Sequence, residues 1–508
     1  MNRIQQNVLA NYAGRAWGFI SMFLFVPIYL KFLGIEAYGL VGFYGTLMAV
    51  MIFADMGFTA TLNREMARLS ARKDSAKDMR DLLRTYEATY VCVSAMVATV
   101  IWLSSPLIAE HWLHSDVLPP SEIAAVIRLM GIAIALQLPA GLFVGGLMGL
   151  QQQVLVNSLQ VAWGVLRGLG AVLILGLVSP TIFAFALWQM IANAIYVIFV
   201  RLSLWRALSA SSDPTRPQFR WQIVRNTWRY AAGMTGMAII YTLLTQVDML
   251  AVSKMLSLDM LGYYSLAATL ASITGMLAAP IATAVFPRLT KLSELGDHDS
   301  LVKLYHRTSE LVAVATIPAG CTVALFSVEL ILVWTGLPEV AHRAGLAASL
   351  LVVGALMQSI TVTPYYVALA HGDVRLNLRV GIASVALLIP LLLVLIPEYG
   401  ILGAAASWLA MNICIMCPYM YFLHRRFLPG ELRRWCFRSL ARPLLFSLPV
   451  VLLGRWLLPH TDSRLLLFCL VGLTWSVAVA ATAAVVPDIR HLVMKTLSRL
   501  TGVPNEAY

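Results

Sequence analysis

Three arginines and two aspartates stand inside long apolar runs of this chain. Arg15 lies in the first run, Arg128 near the start of the fourth, and Arg167 near the middle of the fifth. A charge placed in hydrocarbon costs at least about 2.5 to 3.5 kcal/mol, so each of these groups needs a reason to be there. A guanidinium keeps its charge at any depth and offers a fork that grips two phosphate oxygens at once, so the three together suggest an anion-binding cavity. Asp55 lies toward the end of the second run and Asp248 toward the end of the seventh. A carboxylate stripped of water offsets its charge by taking up a proton or a cation, which makes both candidates for coupling to H+ or Na+.

Each group also has a plainer reading. Arg128, close to a span end, can snorkel to the interface. Arg15 and Arg167 sit deeper and favour cavity lining. Asp55 can cap a turn or pair with Arg64 or Arg15, and for Asp248, near Gln246, coupling and structural roles stay open. Glu310 and Glu329, near span ends, are expected to be solvated. His111 and His114 lack a third metal ligand, and the pair Cys414 and Cys417 lies within a span without a second ligand pair, so no metal site is expected. No phosphate-binding Walker loop is present, and neither ATP hydrolysis nor a cofactor is expected.

The elements that must hold these groups are membrane helices. Of 508 residues, 59% are hydrophobic and 12% charged, whereas soluble domains carry about 25% charged residues. Long apolar runs without alternation mean helices rather than a barrel. Fourteen windows qualify, near 8–30, 38–60, 86–108, 123–148, 154–178, 181–203, 230–253, 261–286, 309–333, 345–369, 380–396, 399–423, 443–459 and 465–486. The thinnest punctuation is at Ser179-Pro180 and at Pro397-Glu398; losing both breaks would leave twelve spans. Of the 37 Lys and Arg, with Arg201 and Arg455 at span ends counted in the loops they adjoin, 29 fall in the two termini and the loops after even-numbered spans, 5 in the loops after odd-numbered spans and 3 within spans. By the positive-inside rule both termini face the cytoplasm, and the net charge of +12 is explained without nucleic acid. The outward loops are all short and leave no room for an external catalytic domain.

The two halves repeat. Lys31-Phe-Leu-Gly-Ile-Glu36-Ala-Tyr-Gly39 between spans one and two matches Lys254-Met-Leu-Ser-Leu-Asp259-Met-Leu-Gly262 between spans seven and eight, both reading K-x4-[E/D]-x2-G. Tyr12-Ala13 and Tyr230-Ala231 open spans one and seven. Val154 and Asn157 after span four match Val374 and Asn377 after span ten, and Trp188 and Trp408 occupy similar places in spans six and twelve. The displacement is six spans, so the halves are parallel, and such a design places a substrate path between them. The expected organisation is an N-terminal lobe over 1–204, a linker loop 205–229, a C-terminal lobe over 230–423, a basic loop 424–442, two further spans over 443–487 and a cytoplasmic tail 488–508.

The stretch Leu33-Gly-Ile-Glu-Ala-Tyr-Gly-Leu40, with Asp55-Met-Gly-Phe58, Asn63-Arg64-Glu65, Leu261-Gly-Tyr-Tyr264 and Phe286-Pro287-Arg288-Leu289, resembles the polysaccharide-transport branch of the multidrug/oligosaccharidyl-lipid/polysaccharide exporter superfamily, with Wzx-type O-antigen flippases nearest. The resemblance implies an all-α, V-shaped, two-lobe fold with two extra C-terminal helices. It also implies a non-enzymatic flippase of the bacterial inner membrane that carries an undecaprenyl-pyrophosphate-linked oligosaccharide outward by alternating access, with ion antiport as the energy source. Arg15 matches in position the first-span arginine of related lipid flippases. Membrane lipids, a glycan polymerase and a chain-length regulator are the implied partners. An exporter of drugs or organic cations in the same superfamily is the rival reading, and a membrane glycan polymerase or ligase a more distant one.

Overall fold

The computed structural model describes residues 3–55, 57–72, 75–209, 216–459, 461 and 463–486. Packing divides the chain into two compact units, Met1–Gly262 and Tyr263–Tyr508. The first holds α1 (Arg3–Val50), α2 (Phe58–Ser70), α3 (Ala76–His111), α4 (Pro120–Gly149), α5 (Gln153–Leu177), α6 (Ile182–Ser209), α7 (Trp221–Met255) and the start of α8 (Leu258–Glu294). The second holds the rest of α8, α9 (His298–Leu325), α10 (Ser327–Thr335), α11 (Pro338–Ile360), α12 (Val362–Ala370), α13 (Val374–Tyr399), α14 (Ile401–Phe427), α15 (Leu432–Trp435), α16 (Arg442–Trp456) and α17 (Arg464–Val485). There is no strand among the described residues; the one isolated bridge joins His114 to Ser257.

Twelve helical stretches among the described residues are long and apolar enough to cross a membrane. The first of these, Trp17–Asp55, contains two sequence windows, because Gly34 adopts φ 77°, a left-handed conformation that interrupts α1 and turns the chain. Dividing it there and adding the long α7 recovers the fourteen windows. The two thin breaks are both real: α5 ends at Leu177 and α6 begins at Ile182, and Gly400, at φ 58°, separates α13 from α14. Val91, Val100, Leu103 and Leu107 on α3 and Leu465, Phe468 and Leu473 on α17 point outward. Large exposed apolar side chains on this scale suit a chain whose surrounding solvent is lipid.

Ion pairs gather at the Lys/Arg-rich helix ends. In the first unit Asp81, fully buried, takes the Arg220 guanidinium at 2.7 Å and the Gln218 N–H at 2.7 Å, fastening the 216–220 segment onto α3. In the second, Asp373 caps α13 through the Arg375 N–H and pairs with Arg426 at 2.5 Å. His306 of α9 meets Glu431 at 2.6 Å. Two carboxylates depart from expectation: Glu310 is 5% exposed and paired with Arg438 at 3.7 Å, and Glu329 is bound by Arg455. The reason is that α16 and the turn before it, which carries Arg438, pack along α9, and Arg455 at the end of α16 reaches Glu329 on α10, so a carboxylate near a span end meets a guanidinium instead of water.

Candidate functional site

The centre of the first unit is organised around Arg167. One turn earlier on α5, Trp163 lies under its guanidinium at 4.8 Å from the ring centroid, the i, i+4 spacing at which helical side chains meet. Tyr196 of α6 stacks on that indole, centroids 4.8 Å apart. The indole N–H donates to Asn193 Oδ1 at 3.1 Å. The Asn193 amide nitrogen in turn reaches the Tyr44 hydroxyl of α1 at 3.3 Å, and the Ala133 carbonyl and Gln137 Oε1 of α4 at 3.1 and 3.4 Å. Tyr29, whose hydroxyl donates to the Gly168 carbonyl at 3.3 Å, and Tyr44 both lie close enough to Arg167 to feel its charge. No carboxylate pairs with Arg167 among the described residues. Its charge is met by a π face and phenol dipoles, which leaves the guanidinium fork for an external anion.

The other predicted groups stand in separate neighbourhoods. Arg128 donates from Nε to Ser105 at 2.9 Å and lies 5.3 Å over Trp102, against α3. The Arg15 side chain, with Tyr12, Ala13, Tyr230 and Ala231, lies outside the described residues. Asp55 ends a short 3-10 turn just before Gly57, which adopts φ 72°. The Thr59 and Tyr90 hydroxyls both donate to its Oδ1, and those two hydroxyls are 3.3 Å apart. No ion pair to Arg64 or any other cation forms there among the described residues. Asp248 is buried in α7 and accepts the Met249 N–H at 2.8 Å. Sequence reasoning missed Trp163, Asn193, Tyr44, Thr59 and Tyr90. The two at helical spacing, Trp163 before Arg167 and Thr59 after Asp55, were visible as i, i+4 partners; the others come from distant helices.

Elsewhere in the same unit, the two repeat motifs meet each other. A Cβ on Gly39 would sit 2.1 Å from the Leu258 carbonyl oxygen, and one on Gly262 would sit 2.4 Å from that of Ile35. Ile35 and Leu258 hold the same place in the repeat, as do Gly39 and Gly262, so the contact is reciprocal. The glycines are there because only hydrogen fits. The 112–118 segment clamps both turns. Glu36 accepts the Ser115 hydroxyl and the N–H groups of Asp116 and Val117 at 3.0 and 3.2 Å, the Trp112 indole donates to Ser253 at 3.0 Å, and the Leu258 N–H donates to His114 O at 2.8 Å.

Comparison with known proteins gives this architecture its place. The family described as "Polysaccharide biosynthesis protein" matches residues 4–293. This chain belongs to that family. The MatE family also matches, over 234–394. A protein of Shigella flexneri named "Putative O-antigen transporter" is 24% identical over 398 residues, covering 78% of this chain and 91% of that one. Among solved structures, "Lipid II flippase MurJ, inward closed conformation" superposes with a TM-score of 0.71 over 96% of this chain and 99% of that one, at 13% identity. An inward-facing multidrug resistance MATE family transporter of the MOP superfamily gives 0.65, covering 82% and 96%, at 11% identity. At such identities the structures establish the fold. The chain is therefore a multi-pass membrane transporter of the multidrug/oligosaccharidyl-lipid/polysaccharide superfamily, and these relatives are transporters and flippases rather than enzymes.

Proposed function

We propose that the chain flips an undecaprenyl-pyrophosphate-linked oligosaccharide, an O-antigen or exopolysaccharide repeat unit, from the cytoplasmic to the outer leaflet by alternating access. The Lys/Arg-rich helix ends and both termini face the cytoplasm in this reading, as the charge asymmetry supports. The observation that carries it is Arg167: a guanidinium near mid-span, pairing with no carboxylate among the described residues, in a chain of the polysaccharide biosynthesis family. A pyrophosphate supplies the negative charge this group lacks, and Arg15, on α1, is assigned to the same anion. Arg128, held on Ser105 and Trp102, contributes to the positive field. Asp55, with two hydroxyl donors, is the better coupling candidate, and Asp248 the second. A drug or organic-cation exporter would instead be expected to surround its cavity with carboxylates and aromatics.

The test is reconstitution in liposomes with a fluorescent, short-chain polyprenyl-pyrophosphate oligosaccharide. Arg167→Ala, folded by its melting curve, is expected to slow transfer roughly 10- to 100-fold, the weight of one or two hydrogen bonds to a charged group. Well-folded wild type that transfers none of this substrate but expels an organic cation would establish the exporter reading instead.

A further inference from the structure

Asn193 is 1% exposed, yet it joins four helices around Arg167. Its orientation is fixed by chemistry. An indole N–H only donates, so the Asn193 oxygen must face Trp163; a backbone carbonyl only accepts, so the amide nitrogen must face Ala133. The same amide nitrogen therefore donates to the Tyr44 oxygen, which acts there as acceptor. The Tyr44 proton is left without an acceptor among the described residues. That O–H can therefore donate to an anion bound beside Arg167.

Resting on the assignment of Arg167 to the pyrophosphate, we propose that Asn193 is the positioning residue of this site: it fixes Arg167 through the Trp163 indole and turns Tyr44 into a second donor to the same phosphate group. The indole matters because a free arginine side chain is rich in rotamers and would otherwise swing toward an interface. Trp163 supplies a π platform, and Asn193 and Tyr196 keep that platform from turning. Tyr44 adds a neutral donor, which discriminates an anion rich in acceptor oxygens from a carboxylate that Arg167 alone would also accept.

The experiment measures binding of farnesyl pyrophosphate, a short polyprenyl pyrophosphate, to the purified full-length protein in nanodiscs. Arg167→Gln is the reference for loss of the site. Tyr44→Phe, which removes one oxygen and keeps the ring, is expected to weaken binding about fivefold, the worth of one hydrogen bond. Trp163→Phe, which keeps a π face and loses the N–H, and Asn193→Leu are each expected to weaken it by about three- to tenfold. In an Arg167→Gln background the Trp163 and Asn193 effects should disappear, which a merely structural role would not produce. Should Asn193→Leu fail to fold, Tyr44→Phe and Trp163→Phe decide the matter. If Arg167→Gln weakens binding while those variants stay within twofold of wild type, the positioning proposal falls and the pyrophosphate assignment stands; if wild type binds and Arg167→Gln binds equally well, the assignment itself falls.

Discussion

Gly39→Ala is the most direct test of what the repeated turns do. The added Cβ would lie 2.1 Å from the Leu258 carbonyl oxygen, about 1.3 Å inside the 3.4 Å of an ordinary contact. The obstructing atom is backbone, so no rotamer change relieves the overlap, and the two turns must separate. Overpacking of this kind costs about 1 to 3 kcal/mol. On the proposed alternating-access cycle, with the reciprocal contact made in one state only, the whole cost falls on that state and lowers its share by about 5- to 150-fold. Gly262→Ala, at 2.4 Å from Ile35 O, should act in the same way, whereas Gly45→Ala, on the same helix with nothing within 4 Å, should not. The assay is the rate at which a membrane-impermeant maleimide labels Ala37→Cys, 6% exposed in the turn itself, in a background without other cysteines. Gly39→Ala and Gly262→Ala should each raise that rate about tenfold or more, with Gly45→Ala at the parent rate. Equal labelling in all three, with unchanged melting temperatures, would mean that the turns are not under compression and that the reciprocal contact is not a closure.

Two further outcomes follow from the carboxylates. Asp55→Asn should abolish the stimulation of transfer by an imposed proton or sodium gradient while leaving gradient-free exchange in liposomes, and Tyr90→Phe should weaken that stimulation in part; full stimulation in Asp55→Asn would move the coupling role to Asp248. At Glu431, burial pushes the carboxyl up, but the hydrogen bond and charge of His306 and the charge of Arg434 outweigh it, so the group titrates below the ordinary glutamate range. A depressed folded value adds stability above the unfolded pKa, near 4.3, and that stability is lost as pH falls through the folded value. The melting temperatures of wild type and Glu431→Gln should therefore differ at neutral pH and converge below about pH 4; a gap that persists there would assign the loss to packing instead.

What the sequence disclosed divides along the range of the forces involved. Spans are a local matter: each needs its own apolar length and its own hydrogen bonds, so every window found a helix, including the ones divided by Ser179-Pro180 and Pro397-Glu398. Trp163, one helical turn before Arg167, lay within reach of the same local reading but was missed. What decides a site in this fold is the rotation of one helix against another, and no pattern within one segment records that. Asp55 offered itself as the partner of Arg64 or Arg15, yet the register of α3 brings Tyr90, 35 residues away, onto its oxygen. Glu310 and Glu329 read as solvated only because the segments that cover them lie more than a hundred residues further on. The repeat is the instructive middle case. By sequence, α7 opens the second half; by packing, the compact unit continues to Gly262. The first is an expectation from the repeat, which concerns how the halves correspond; the second is an observation of which segments pack together. The K-x4-[E/D]-x2-G motif bears on both: two copies of one turn, each with a glycine placed where the other's carbonyl comes, form a reciprocal contact that neither copy alone could disclose.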